Sequence, residues 1–176
     1  GRSQFRGPYV HIPLIIMGYF NPILQYGVKS FCKKCSEVGI DGLIIPDLPI
    51  NYFEQNYKSI FRDYDLHNMF LIAPQTPEER IRYIDKISNG FIYMVSSSSV
   101  TGSKNTFDNN QLTYFDKIKE MNLSSKKIIG FGVGNKETFN KAIQYSKGAI
   151  IGSAFIKHLK LKGVNSIDEF IKSIRK

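Results

Sequence analysis

The chain has 176 residues, 42% hydrophobic and 22% charged, with a formal net charge of +9. That is the composition of one ordinary globular domain, and no run of about 18 apolar residues exists to cross a membrane. The lysines are spread along helix-like segments (Lys29, Lys58, Lys86, Lys119, Lys141, Lys172) rather than gathered on one face, so the charge reads as a solvated surface that attracts anions, not as a nucleic-acid footprint.

The first residues, Gly1 to Pro8, are basic but have no apolar stretch behind them, which is not the pattern of a signal peptide. Residues 1–11 read as an irregular segment ahead of a domain at 12–176. An apolar run, Ile12–Met17, opens that domain. The segment Val28–Val38 follows, with Val28, Phe31, Cys32, Cys35 and Val38 at helical spacing. Its Cys-x-x-Cys has two readings. A zinc site needs about four ligands, and His11, His67 and His158 are scattered. A thioredoxin-type pair opens a helix, whereas this one sits inside. The spacing therefore reads as reduced helix cysteines of a cytoplasmic protein, with no metal.

Further apolar runs follow at Gly42–Ile45, Met69–Ile72, Phe91–Val95, Lys127–Phe131 and Ala149–Ile151, rich in β-branched and aromatic residues. They lack strict alternation, which is how strands buried on both faces of a parallel sheet read. Between them lie stretches with helical spacing, among them Phe139–Ile143. Ile167, Phe170, Ile171 and Ile174 close the chain. Six strands alternating with helices predict an α/β fold with a parallel sheet. An open doubly wound sheet and a (β/α)8 TIM-barrel type both fit, and the turns must decide.

Two turns are unusual. Gly130-Phe131-Gly132-Val133-Gly134-Asn135 follows the fifth run, and Gly152-Ser153-Ala154-Phe155 follows the sixth and leads into a helix-like segment. Gly102 follows the fourth. Each glycine alone reads as a turn. Together, at strand ends, they read as a phosphate site: glycine lets N–H groups approach an anion, and a helix N-terminus adds partial positive charge. In barrels such sites lie on the loops after the last two strands. No Gly-x-Gly-x-x-Gly or Walker pattern opens the first strand, which argues against dinucleotide binding and nucleotide hydrolysis.

At this point the residues resemble a known family. Ile12 to Pro22 (IPLIIMGYFNP), Val38 to Pro49 (VGIDGLIIPDLP), Ala73-Pro74-Gln75-Thr76, Gly90 to Ser96 continuing to Gly102, and the two glycine turns are similar, in that order, to strands three to eight of the tryptophan synthase alpha chain. The resemblance implies a TIM barrel with about six of eight strand–helix units. It also implies aldol cleavage of indole-3-glycerol phosphate to indole and glyceraldehyde 3-phosphate, a lyase step of tryptophan biosynthesis. By resemblance Gly102, Gly132, Gly152 and Ser153 hold the substrate phosphate with Phe131 beside it, and Tyr19, Ile44 and Tyr93 line the pocket. Ile44 and Phe131 read equally as barrel core, and the two tyrosines as buried structural ones.

The family's general acid and base, a glutamate and an aspartate, precede the strand that begins at Ile12. No catalytic residue is therefore assigned in this chain, and the chain alone is expected to be inactive. Asp47 reads either as a coupling residue, with Thr101 as its neighbour, or as a turn cap. The resemblance implies no cofactor on this chain. Pyridoxal phosphate would sit on a partner β chain in an α2β2 tetramer, contacted through Asn21–Leu24, Pro49 and Val100–Lys104. Another phosphate-barrel isomerase or epimerase and a non-catalytic phosphate- or partner-binding fragment are the rival readings.

Overall fold

Leu14 and Asp41 begin the sheet. The Asp41 carboxylate accepts the Leu14 N–H at 2.6 Å, and the Asp41 N–H returns to the Leu14 carbonyl at 2.8 Å. This exchange sets the register of β1 (Ile15–Met17) with β2 (Gly42–Ile44), with Ile15 opposite Gly42 and Met17 opposite Ile44. The computed structural model describes residues 12–96 and 106–175. β3 (His67–Ile72) pairs with β2, and Met69 lies opposite Ile44. Further along the chain β5 (Lys126–Gly130) pairs with both β4 (Phe91–Val95) and β6 (Ala149–Ile150). Every one of these pairings is parallel.

Helices fill every interval, as parallel connections require. α1 (Phe20–Tyr26) and α2 (Val28–Val38) lie between β1 and β2, and α3 (Ile50–Asn56) and α4 (Lys58–Asp63) between β2 and β3. Single helices follow: α5 (Glu78–Ile87), α6 (Asn109–Glu120) and α7 (Lys136–Ala142). α8 (Ser153–Lys162) and α9 (Ile167–Arg175) end the described chain, with a 3-10 turn at Val164–Ser166 between them. Sequence sets the helix ends. Gly39 stops α2 in the left-handed conformation at φ 82°, and its N–H reaches the Ser36 carbonyl at 3.1 Å. Asp108 with Gln111, and Asn135 with Thr138, form capping boxes on α6 and α7.

Two compact units divide the chain, Gly1–Phe70 with Ile87–Gly90, and Leu71–Lys86 with Phe91–Lys176. The first is centred on Phe53, whose ring meets Phe61 and Phe70 edge-on at 5.1 and 5.4 Å. In the second, fully buried Phe115 is ringed by Phe107, Tyr114 and Tyr145. Truncating such a ring to alanine costs about 3–5 kcal/mol.

Two strands differ from the sequence expectation by more than one residue at an end. β1 begins at Ile15, not Ile12, because Pro13 has no N–H to give a ladder. It is not buried on both faces: Met17 is 55% and Ile16 39% exposed. Its one strand partner among the described residues is β2. β3 starts earlier than its apolar run because polar Asn68 is buried within it, its N–H donating to the Asn89 side chain at 3.2 Å.

The chain's C-terminal end is tied by rings and charges. Phe155 and His158 of α8 stack against Phe170 of α9 at 5.3 and 5.1 Å, and Lys162 pairs with Glu169. The His158 ring contacts the Ser166 carbonyl at 3.0 Å. None of the α8 residues is itself buried.

Candidate functional site

In the second unit, the loops that matter leave the carboxyl ends of β4, β5 and β6. Tyr93 near the end of β4 is buried, and burial pushes its hydroxyl above the ordinary phenol range. It is an apolar wall carrying a neutral hydroxyl, not a base at neutral pH. Its ring meets Phe131 edge-on at 6.1 Å. Phe131 is half-buried rather than core.

Just past β5 the backbone turns left-handed twice, at Phe131 (φ 67°) and Gly132 (φ 72°). Glycine accepts this freely, and phenylalanine does so only when neighbours hold it. Three groups hold this loop. The Ser96 hydroxyl donates to the Phe131 carbonyl at 2.7 Å, and the Ser96 N–H to the Gly130 carbonyl at 3.1 Å. The hydroxyl of buried Thr138 accepts the Gly134 N–H at 3.1 Å. Beyond it the loop meets the start of α8: a β-carbon on Gly134 would touch that of Ala154 at 3.5 Å.

Gly152 is the N-cap residue of α8, no side chain caps the helix, and a β-carbon there would meet nothing within 4 Å. Both Gly152 and Ser153 are exposed. The first turn of α8 contains no acid that would neutralise the helix dipole. Backbone N–H groups without an acceptor among the described residues, a helix N-terminus and a glycine-opened loop thus adjoin, an arrangement suited to a phosphate-sized anion. Gly102 and Thr101 lie outside the described residues.

In the first unit, Ile44 is buried beside Met17 and Met69 in the sheet register. Tyr19 is 72% exposed, not a buried tyrosine. The Asp47 carboxylate accepts the Phe20 N–H through both oxygens, at 2.8 and 3.1 Å. From the loop after β2 it thus takes the first N–H of α1, a partner that neither sequence reading of Asp47 named. Phe20, Tyr52 and Tyr57 form an aromatic cluster beside it. The hydrogen bond with Tyr52, and then burial, push the Tyr57 hydroxyl up to about 12.

Sequence reasoning missed Ser96, Thr138, Phe107 and Gln111, which surround the β5 loop. A β-carbon on Gly132 would lie 3.5 Å from Phe107, 3.6 Å from the Ser96 hydroxyl and 4.0 Å from the Gln111 amide nitrogen. The one available signal was Asn135-x-x-Thr138, a capping pair directly behind the glycines. Among the described residues no group of three His, Cys, Asp or Glu is placed to hold a metal ion, and no helix is long and apolar enough to cross a membrane.

The family model described as tryptophan synthase alpha chain matches residues 2–174. The tryptophan synthase alpha chain of Flavobacterium johnsoniae is 65% identical over 166 residues, 94% of this chain and 66% of that relative. The one from Flavobacterium psychrophilum is 67% identical over 165 residues, 94% of this chain and 65% of the relative. The chain thus spans slightly less than two thirds of these relatives' length. Among solved structures, the tryptophan synthase A-subunit of the hyperthermophile Pyrococcus furiosus aligns with a TM-score of 0.73 at 26% identity, covering 94% of this chain and 66% of that one. A mutant of the same subunit aligns at 0.80 and 26%, covering 94% and 67%. The fold is therefore of the (β/α)8 type, with six strand–helix units present. A match that runs nearly from one end of the sequence to the other, over glycine loops standing where strands end, makes this chain a member of the tryptophan synthase alpha chain family.

Proposed function

We propose that this chain provides the phosphate- and indole-binding part of an alpha-chain lyase that cleaves indole-3-glycerol phosphate to indole and glyceraldehyde 3-phosphate. The observation that carries this reading is the left-handed Phe131–Gly132 turn whose loop adjoins the uncapped N-terminus of α8. The phosphate sits on the N–H groups of Gly132, Gly152 and Ser153, and family resemblance alone adds Gly102, which lies outside the described residues. Anchoring a remote phosphate spends binding energy on orientation, which accelerates the step at the other end of the substrate. By family resemblance Tyr93 in the second unit, and Tyr19 and Ile44 in the first, are each assigned to contacts with the indole and glycerol parts of the substrate.

In the reaction the bond between the indole C3 and the carbinol carbon breaks. A general acid protonates C3, and a base takes the carbinol hydroxyl proton as the aldehyde forms. Each contributes about 10²–10⁴-fold. By family resemblance both carboxylates precede β1, and no residue of this chain takes either role. The chain works without a cofactor. It hands indole to a pyridoxal-phosphate-bearing β chain within an α2β2 tetramer in the cytoplasm, docking through Asn21–Leu24, Pro49 and Val100–Lys104.

Two measurements test this. Inorganic phosphate titrated into the ¹⁵N-labelled chain should shift the amides of Gly132, Gly152 and Ser153 together; amides that stay still at millimolar phosphate sink the site. The chain alone should release no indole. Joined to the first two strand–helix units of the Flavobacterium johnsoniae relative, it should release indole, and Gly152→Asp should abolish that release. A folded chimaera without turnover overturns the lyase reading.

A further inference from the structure

Phe131 is one of three non-glycine residues with positive φ among the described residues, and the one at a strand end beside the glycine turns. A β-carbon in this conformation crowds the following carbonyl, so the geometry persists only where the surroundings enforce it. Ser96 is the residue placed to enforce it. It is fully buried at the end of β4 and grips both sides of the turn, its N–H on the Gly130 carbonyl at 3.1 Å and its hydroxyl on the Phe131 carbonyl at 2.7 Å. That carbonyl belongs to the peptide whose N–H is on Gly132. Holding one end of a planar peptide fixes the direction of the other. No acceptor among the described residues takes the Gly132 N–H.

We propose that Ser96 is the positioning residue of the phosphate site: by clamping the Phe131 carbonyl it holds Phe131 and Gly132 left-handed and leaves the Gly132 N–H free for the anion. The inference rests on the phosphate reading above for its purpose, but the clamp itself is a statement about Phe131. Ser96 touches no substrate; it acts through the peptide. A β-carbon on Gly132 would lie at ordinary contact distance, 3.6 Å, from the Ser96 oxygen. The hydroxyl thus sits directly against the turn it holds.

The test compares the ¹⁵N,¹³C-labelled chain with Ser96→Ala and Ser96→Thr. One readout is the Phe131 HN–Hα coupling with its Cα shift, which reports φ without ligand. The other is the affinity for inorganic phosphate, read at Gly132, Gly152 and Ser153. In Ser96→Ala, Phe131 should leave the left-handed region and phosphate affinity should fall about five- to tenfold, the scale of one lost hydrogen bond. The ligand-free Gly152 and Ser153 amides should not move. Ser96→Thr, which keeps the hydroxyl, should restore both readouts. Should Ser96→Ala not fold, Ser96→Cys, a weak donor of similar shape, should give intermediate values of each. A Phe131 that stays left-handed in Ser96→Ala, or an affinity unchanged in a wild-type chain that binds phosphate, overturns the proposal. A wild-type chain that binds no phosphate overturns the function proposed above, and the Phe131 coupling then still decides whether Ser96 is the clamp.

Discussion

The hydroxyl of Tyr93 occupies the space that a side chain on Gly130 would need. An ideal β-carbon at Gly130 lies 2.1 Å from the Tyr93 oxygen and 2.4 Å from the ring carbon that bears it. Gly130 has an ordinary negative φ, so the constraint is space rather than backbone conformation. Gly130→Ala should push Tyr93 out of its buried seat and cost about 1–3 kcal/mol. Tyr93→Ala alone should cost about 3–5 kcal/mol through its cavity. The double variant should be more stable than the sum of the two by about 0.5–3 kcal/mol, because the clash is gone. Urea denaturation of the four proteins checks this; strict additivity would mean that Tyr93 moves aside freely.

A second relationship sets the acid limit. The Asp85 carboxylate on α5 accepts the Ser124 N–H at 2.9 Å, the Ser124 hydroxyl at 3.0 Å and the Ser125 N–H at 2.7 Å. Partial burial raises its pKa, but the hydrogen bonds from the Ser125 and Ser124 backbone and hydroxyls outweigh burial, and the net shift is downward. A carboxyl that titrates lower in the folded chain contributes stability fully above its unfolded value, about 3.9. That contribution disappears as pH falls through the folded value. Asp85→Asn should cost about 1–3 kcal/mol at neutral pH. The gap from wild type should close on acidification below about pH 4. Melting curves from pH 7 to 3 that stay parallel would contradict this.

Cys32 and Cys35 are both buried on α2. Burial, and then the neighbouring Cys35, push the Cys32 thiol up to about 12, and burial pushes Cys35 to about 11. The nucleophile is the thiolate, so both thiols should resist alkylation at pH 8 and react fast once the chain is denatured. Rapid labelling of the folded chain, followed by mass spectrometry, would return the pair to the redox reading.

The strand β1 leaves Leu14, Ile16 and Met17 at least 39% exposed, next to an edge without protecting charges. The isolated chain should therefore associate as its concentration rises, and Ile16→Lys should reduce that association. Size-exclusion chromatography with light scattering decides; a monomer at every concentration would show that the edge is covered.

The strands were legible where burial forces continuous apolar runs. Phe91–Val95 was read to the residue, and Lys126–Gly130 differs by one position at each end. Legibility ended where polar atoms are paired at a distance. Asn68 hides inside β3 because Asn89, far along the chain, meets its backbone. Gly132 was visible because its left-handed backbone disfavours other residues, whereas Gly152 has neither a positive φ nor a crowding neighbour and stood out only by its place after a strand. Ser96 was not visible, since it sits at the head of a serine run, and its partner carbonyl belongs to a residue 35 positions away. Asp47 was seen as a coupling or capping group, but its actual target, the Phe20 N–H, comes from tertiary placement that no local spacing encodes.

α8 carries the helix end of the proposed phosphate site yet buries none of its own residues, and its rings and charges are held by Phe170 and Glu169 of the nine-residue α9. The end of α8 proposed to meet the anion is thus braced by a helix that follows it in the chain. A carboxypeptidase trimming past Phe170 would erase phosphate affinity while every glycine of the cradle was still intact.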